Sequence, residues 1–307
     1  MDAPRDQARA ALFAAHRSDR DALTPHGGVV RLVAHRGSGH EHNDPGGPPE
    51  NTLAAIRYGF DHGADAVEVD VWRTADGVVI LAHDRTTDRT TDHPGLDLTR
   101  SEYADLRRLS AGAWKDRRWQ DLVMPRLCEA AALVPEGRSL VVEVVEGPQV
   151  VSDVLAATTL PDDQVVYISK NLDTAGELKR QSRSRVLWIV DTVPRWQIGG
   201  WAQGHRRGPD SERHGFDEHA DAEWLVAQAL QRGLDGLDTL FSYPPGLPTT
   251  VIDAGLLWMV WTANDPRAIE QCIRDGAWAI TTDNTGRVRA WMDAAGIATA
   301  SVAEVNF

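Results

Sequence analysis

The run Gly63-Ala64-Asp65-Ala66-Val67-Glu68-Val69-Asp70-Val71 decides how this chain is read. Val67, Val69 and Val71 alternate with Glu68 and Asp70, the period of a β-strand, so both carboxylates project from one face. On a half-buried strand that face would be solvent. Here Ala64 and Ala66 precede the carboxylates and Val71-Trp72 follows, which points to a strand covered on both sides. Two carboxylates facing a protein interior must be neutralised, paired or used to hold a cation, because an unpaired buried charge is costly. A hard divalent ion with oxygen ligands meets that need. Alone, the pattern also describes a solvated strand face; the surrounding chain separates the two readings.

Just upstream, Val29-Val30-Arg31-Leu32-Val33-Ala34 is a short apolar strand ending in His35-Arg36-Gly37. A Gly- and Pro-rich loop runs to Pro49, and Glu50-Asn51-Thr52 opens a helix carrying Leu53, Ile56, Tyr58 and Phe60 that closes at Gly63. Residues 1–28 have helical spacing (Ala8, Ala11, Leu12, Ala15) and are expected to form an N-terminal helical extension. Downstream, Asp76-Gly77 predicts a tight hairpin turn before Val78–Ala82, and a polar stretch to Met124, with one helix-like piece at 100–109, makes residues 72–124 an insertion after the second strand. A helix then starts at Pro125.

From there apolar strands at 140–145, 165–169, 186–190, 236–238, 256–261 and 278–281 alternate with helical patterns. Residues 192–219, with Gly199-Gly200 and Arg206-Arg207, read as a long loop able to act as a lid. Eight strands alternating with helices predict an α/β fold, a (β/α)₈ TIM barrel forming one domain over 29–307. No Gly-x-Gly-x-x-Gly or Walker pattern follows any strand, which weighs against a nucleotide fold.

Composition narrows the partners. A net charge of −13 argues against nucleic acid and anionic membrane surfaces, so an anionic substrate needs local positive charge or a metal. No apolar run has the length of a membrane span, and the charged start carries no secretory h-region, so a soluble, cytoplasmic protein without stable membrane insertion is expected. The two cysteines, Cys128 and Cys272, fall in separate helical patterns and are read as free thiols.

In such a barrel, chemistry gathers at the C-terminal ends of the strands. His35 and Arg36 end the first strand, Glu68 and Asp70 lie near the end of the second, and His83 follows the hairpin. Glu143 lies in the third, Ser169-Lys170 end the fourth, Trp261 ends the seventh and Asp283 follows the eighth. Glu68, Asp70 and Glu143 suit Mg²⁺ or Ca²⁺; without a Cys cluster or a helix-borne His pair, zinc fits poorly. A metal that polarises a phosphoryl oxygen, an arginine clamp at Arg36 and two histidines exchanging protons together fit cleavage of a phosphodiester.

These segments resemble the glycerophosphodiester phosphodiesterase family. The resemblance rests on His35-Arg36-Gly37, Glu50-Asn51-Thr52, Gly63–Val71, Thr74-Ala75-Asp76-Gly77, His83-Asp84 and Met124-Pro125-Arg126-Leu127 with Glu129. It continues through the strand of Glu143, Trp261-Thr262-Ala263-Asn264 and Thr281-Thr282-Asp283, spanning roughly 30 to 290. It implies a barrel, a divalent cation on Glu68, Asp70 and Glu143 with Glu50 also at the metal site, His35 and His83 as acid/base pair, and Arg36 on the phosphate of a small-molecule phosphodiester. The chain departs from the family where Glu-x-Lys reads Glu143-Val144-Val145, removing a phosphate-binding cation. Val145 should still face the site, and Lys170 at the next strand end is the candidate to supply the charge, with Trp261 walling the pocket. Three alternatives stay open: a specialised phosphodiester substrate, a cyclic phosphate product as in sphingomyelinase-D-like phospholipases, and a non-catalytic barrel binding a phosphorylated ligand.

Overall fold

Nine strands form one sheet, and eight of them close it into a barrel. The computed structural model describes residues 29–38, 46–190, 222–243 and 246–297. The expected N-terminal helix (1–28) and lid (192–219) lie outside the described residues. The strands are β1 (Arg31–Ala34), β2 (Ala66–Arg73), β3 (Val79–Leu81), β4 (Ser139–Val144), β5 (Val165–Ser169), β6 (Arg185–Val190), β7 (Gly236–Leu240), β8 (Leu257–Trp261) and β9 (Ala279–Thr282). Every barrel neighbour is parallel, in the order β1-β2-β4-β5-β6-β7-β8-β9, and β9 returns to β1 with Arg31 opposite Ala279. Strand β3 is the exception, running antiparallel to the end of β2 with Trp72 opposite Ile80.

Side-chain alternation sorts the core into two layers. Val67, Val69, Leu140, Val142, Tyr167, Leu237 and Val260 face outward into the helix-covered core. Val33, Ala66, Val141, Val166, Leu187, Leu257 and Met259 face inward and fill the barrel. On β2 the inward set is Ala66, Glu68 and Asp70, and the whole strand is buried as far as Val71. The two-sided burial expected of this strand therefore holds. Its third carboxylate has a different task. Asp65, at the opposite end, accepts from the Leu32 N–H (2.8 Å), Arg138 (2.7 Å) and Arg289 (2.8 Å), tying the foot of the barrel together.

The helices follow the expected rhythm, with boundaries moved by a residue or two. Leu53–Asp61 begins where Thr52 caps it, the hydroxyl accepting from the Ala55 N–H at 3.2 Å. Asn171 caps Leu172–Gln181, and Asp265 caps Pro266–Arg274. The insertion has its own small core of Ile80, Ala82, Leu98, Tyr103, Leu106 and Met124. Its expected helix at 100–109 is shorter, only Tyr103–Leu106. Gly77 (φ 84°) closes the hairpin, donating to the Thr74 carbonyl at 3.0 Å. Cys128 and Cys272 are free. Among the described residues no helix is long and apolar enough to cross a membrane.

Candidate active site at the C-terminal mouth of the barrel

The upper ends of β2 and β4 bring Glu68, Asp70 and Glu143 together, each offering an oxygen within 4.8 Å of the others. Register produces this meeting, because Asp70 stands directly opposite Glu143 on the β2–β4 ladder. Glu68 and Asp70 are buried. Burial first, then the charges of Asp70 and Glu143, push the Glu68 carboxyl well above the usual carboxylate range. Its Oε2 accepts from the Arg36 N–H at 2.9 Å, while Oε1 is buried without a hydrogen-bond partner among the described residues. Three clustered carboxylates, one with an orphaned oxygen, fit a hard divalent cation.

Asp70 behaves oppositely. Burial would raise its pKa, but the nearby Arg36, His83 and His35 and a bond from Asn51 outweigh this and hold it low. Asn51 grips it twice, donating from Nδ2 to Oδ2 (2.8 Å) and accepting from the Asp70 N–H at Oδ1 (3.1 Å). Immediately after β1 the chain enters the left-handed region at Arg36 (φ 49°), Gly37 (φ 79°) and Ser38 (φ 63°). Strained backbone of this kind persists where surrounding contacts enforce it. The turn folds Arg36 back over the acidic cluster, 3.3 Å from Asp70 and 3.0 Å from Glu50.

Glu50 is not one of the three clustered carboxylates. Its Oε1 receives Arg36 Nη1 and Arg89 Nη2 (2.7 Å), and Oε2 receives Arg89 Nη1 (2.8 Å). Burial opposes ionisation, but the Arg89 bonds and the charges of both arginines bring its pKa down to about 2. Arg89, from the insertion, also donates to Asp84 at 2.7 Å, and Asp84 contacts His83 Nδ1 at 2.6 Å. Burial would raise Asp84; bonds from His83 and Arg89 hold it well below the usual range. On the other side His35 Nδ1 contacts Asp283 at 2.6 Å, and Asp283 accepts from Asn264 Nδ2 at 2.6 Å. Each imidazole thus has a carboxylate on Nδ1, which fixes that nitrogen as an N–H and makes Nε2 the ring atom for proton exchange.

Lys170, one step past β5, lies 3.8 Å from Glu143 and 5.4 Å from the Trp261 ring centroid. Val145 is half-buried just past β4. Every candidate residue named from the sequence is therefore at this mouth, with Glu50 on arginines rather than in the acidic cluster. Sequence reasoning missed Arg89 as a site residue, had Asn51, Asp84 and Asn264 only as motif members, and placed Asp283 after the last strand without a role. The motif itself was the signal for Asn51. Arg89 carried none, being one of many arginines in a polar stretch.

The geometry can now be compared with known proteins. The model of the glycerophosphoryl diester phosphodiesterase family matches residues 35–287, most of the chain. The chain belongs to that family. Among curated relatives, the human glycerophosphodiester phosphodiesterase 1 is 42% identical over 107 residues, 34% of this chain and 30% of that protein. The glycerophosphodiester phosphodiesterase of Caldanaerobacter subterraneus is 35% identical over 119 residues, 38% of this chain and 45% of that protein. The matched stretches thus span less than half the length of these relatives. Among solved structures, an Oleispira antarctica phosphodiesterase in complex with its product sn-glycerol-3-phosphate superposes with a TM-score of 0.67 at 24% identity, covering 86% of this chain and 97% of that one. The Thermotoga maritima glycerophosphodiester phosphodiesterase gives 0.61 at 18% identity, covering 87% and 100%. At such identities the structures establish the family's barrel fold in this chain.

Proposed function

We propose that this protein is a divalent-cation-dependent phosphodiesterase that cleaves a glycerophosphodiester-like substrate to an alcohol and a phosphomonoester. The observation that carries this is the pairing of a buried three-carboxylate cluster with two imidazoles, each backed by its own aspartate. Glu68, Asp70 and Glu143 would hold Mg²⁺ or Ca²⁺, and the bound ion would supply charge neutralisation at the phosphoryl oxygens. Arg36, clamped by Glu50 and Asp70, presents a guanidinium to the phosphate. One imidazole takes at Nε2 the proton of the attacking water, and the other, entering as the imidazolium, gives its Nε2 proton to the departing alcohol oxygen. Asp283 and Asp84 hold the two rings in place through Nδ1. Glu50 acts here by holding Arg36. Lys170 provides the cation that Val145 cannot, with Trp261 beside it.

The test is turnover of glycerophosphocholine by metal-stripped protein, before and after addition of Mg²⁺, Ca²⁺ or Mn²⁺. Glycerol phosphate should appear only with metal. His35→Ala and His83→Ala should each lower kcat by about 10²–10⁴-fold. Metal-independent turnover, or turnover surviving both substitutions, would overturn the proposal.

A further inference from the structure

Three neighbouring strand ends carry a chain of contacts along the rim of the barrel mouth, and its first link has no part in the proposed chemistry. In the circular order β8, β9 and β1 are adjacent. Asn264 comes shortly after β8, Asp283 directly follows β9 and His35 directly follows β1. The pairing of β8 with β9 continues beyond the strands themselves, because the Ala263 N–H donates to the Thr281 carbonyl at 2.9 Å. Asn264 therefore leaves a backbone already held in register with the segment that carries Asp283.

The amide of Asn264 fits only one way round. Its Oδ1 accepts from the Thr282 hydroxyl and from the Asp283 N–H, both at 2.9 Å. A carboxamide has one accepting end and one donating end, so with Oδ1 on two donors Nδ2 points away from them. There it donates to Asp283 Oδ2 at 2.6 Å. The other carboxylate oxygen, Oδ1, then meets His35 Nδ1 at 2.6 Å. The last torsion of an aspartate is broad, so the backbone alone does not fix the angle at which the carboxylate meets the ring. The amide fixes it.

The other imidazole is served by different chemistry. Behind His83, Asp84 takes its bond from Arg89, a cation carried by the insertion. Asn264 is neutral and belongs to the barrel, so it orients Asp283 without cancelling its charge. We propose that Asn264 is a positioning residue: acting through Asp283, it sets the direction in which His35 presents Nε2 to the reacting oxygen. Its effect on rate rests on the phosphodiesterase reading; its effect on the ring does not.

Two substitutions separate the donor from the shape. Asn264→Leu removes both ends of the amide. Asn264→Asp keeps the size and the accepting oxygen but puts a second carboxylate oxygen where Nδ2 donated to Asp283. With glycerophosphocholine and the activating cation, Asn264→Leu should lower kcat by about 10–10²-fold and leave KM within about twofold. Asn264→Asp should show a similar deficit at pH 8 and recover relative to the wild type as pH falls, because the protonated carboxyl donates to Asp283 again. A second readout needs no substrate. In proton NMR of the full chain, the Nδ1–H held between His35 and Asp283 gives a downfield resonance, identified by its loss in His35→Ala. It should shift or vanish in Asn264→Leu and in Asn264→Asp at pH 8, while the matching resonance of His83 stays in place. Wild-type kcat in both variants, a KM that rises in step with the fall in kcat, or an unmoved His35 resonance would overturn the assignment. Should Asn264→Leu not fold, Asn264→Asp still decides. The two readings fail separately. A displaced resonance in a protein that turns over no phosphodiester removes the catalytic proposal alone, and full turnover with an unmoved resonance removes the positioning role alone.

Discussion

Arg89 is the residue whose loss should be felt furthest. It gives Glu50 two of its three guanidinium bonds and also binds Asp84 behind His83. Arg89→Leu leaves a buried carboxylate with Arg36 alone, so urea denaturation should show a loss of about 2–4 kcal/mol at neutral pH. The pH dependence has a definite sign. Glu50 is depressed in the folded state, so its contribution is present above the ordinary carboxylate value and disappears as pH falls through about 2. In Arg89→Leu that loss should begin at higher pH. The other residue-scale prediction concerns the displaced cation. Lys170→Ala should raise KM for a phosphodiester about tenfold with a smaller effect on kcat, and adding Val145→Lys should restore it. No recovery would mean that the two positions are not interchangeable. Residues that act through alternation or motif, such as Glu68, Asp70 and Glu143, were legible because a strand's period puts them on one side and the apolar, alternating strand–helix surroundings make that side the interior. Arg89 was not, since its role depends on where a loop carries it in space.

At the level of the element, the turn after β1 aims Arg36 and packs the first helix. Gly37 (φ 79°) sits so close to Ala55 that a methyl group there would run into the Ala55 backbone. Gly37→Ala combines a disfavoured conformation with a steric conflict, and we expect a destabilisation of about 2–4 kcal/mol in chemical denaturation with a fall in kcat. If activity fell without any change in stability, the turn would be aiming Arg36 and not supporting the helix. The strands and helices themselves were readable because parallel strands buried on both faces appear as apolar runs, and helices open with Thr52, Asn171 or Asp265. The short helix at Tyr103–Leu106 was over-read: Tyr103, Leu106 and Leu109 have helical spacing, yet they belong to a compact cluster of short turns. Tertiary packing supplied the order that spacing had suggested.

For the molecule as a whole, the acidic cluster links stability to pH and, if it holds the proposed cation, to metal. The Glu68 carboxyl is raised, so in metal-free protein its contribution is complete at low pH and is lost as pH rises through that raised value. On the proposed reading a divalent cation would take the place of the proton, and its binding would strengthen as the carboxylates ionise. The rise in Tm on adding Mg²⁺ or Ca²⁺ should therefore be larger at pH 8 than at pH 5.5, read by thermal denaturation. A larger rise at the lower pH would contradict a carboxylate-held ion. The insertion is bound into the same arrangement. Lys115 and Arg118 donate to the carbonyls of Pro48 (3.1 Å) and Gly46 (2.7 Å), just before the Glu50 that Arg89 grips. The segment after β2 and the loop before the first helix are thus complementary halves of one joint. A chimaera that imports a foreign segment 72–124 would separate Glu50 from its guanidinium and the loop from its two anchors. Across descent, the two stretches should be inherited and altered together, whatever happens to the rest of the barrel.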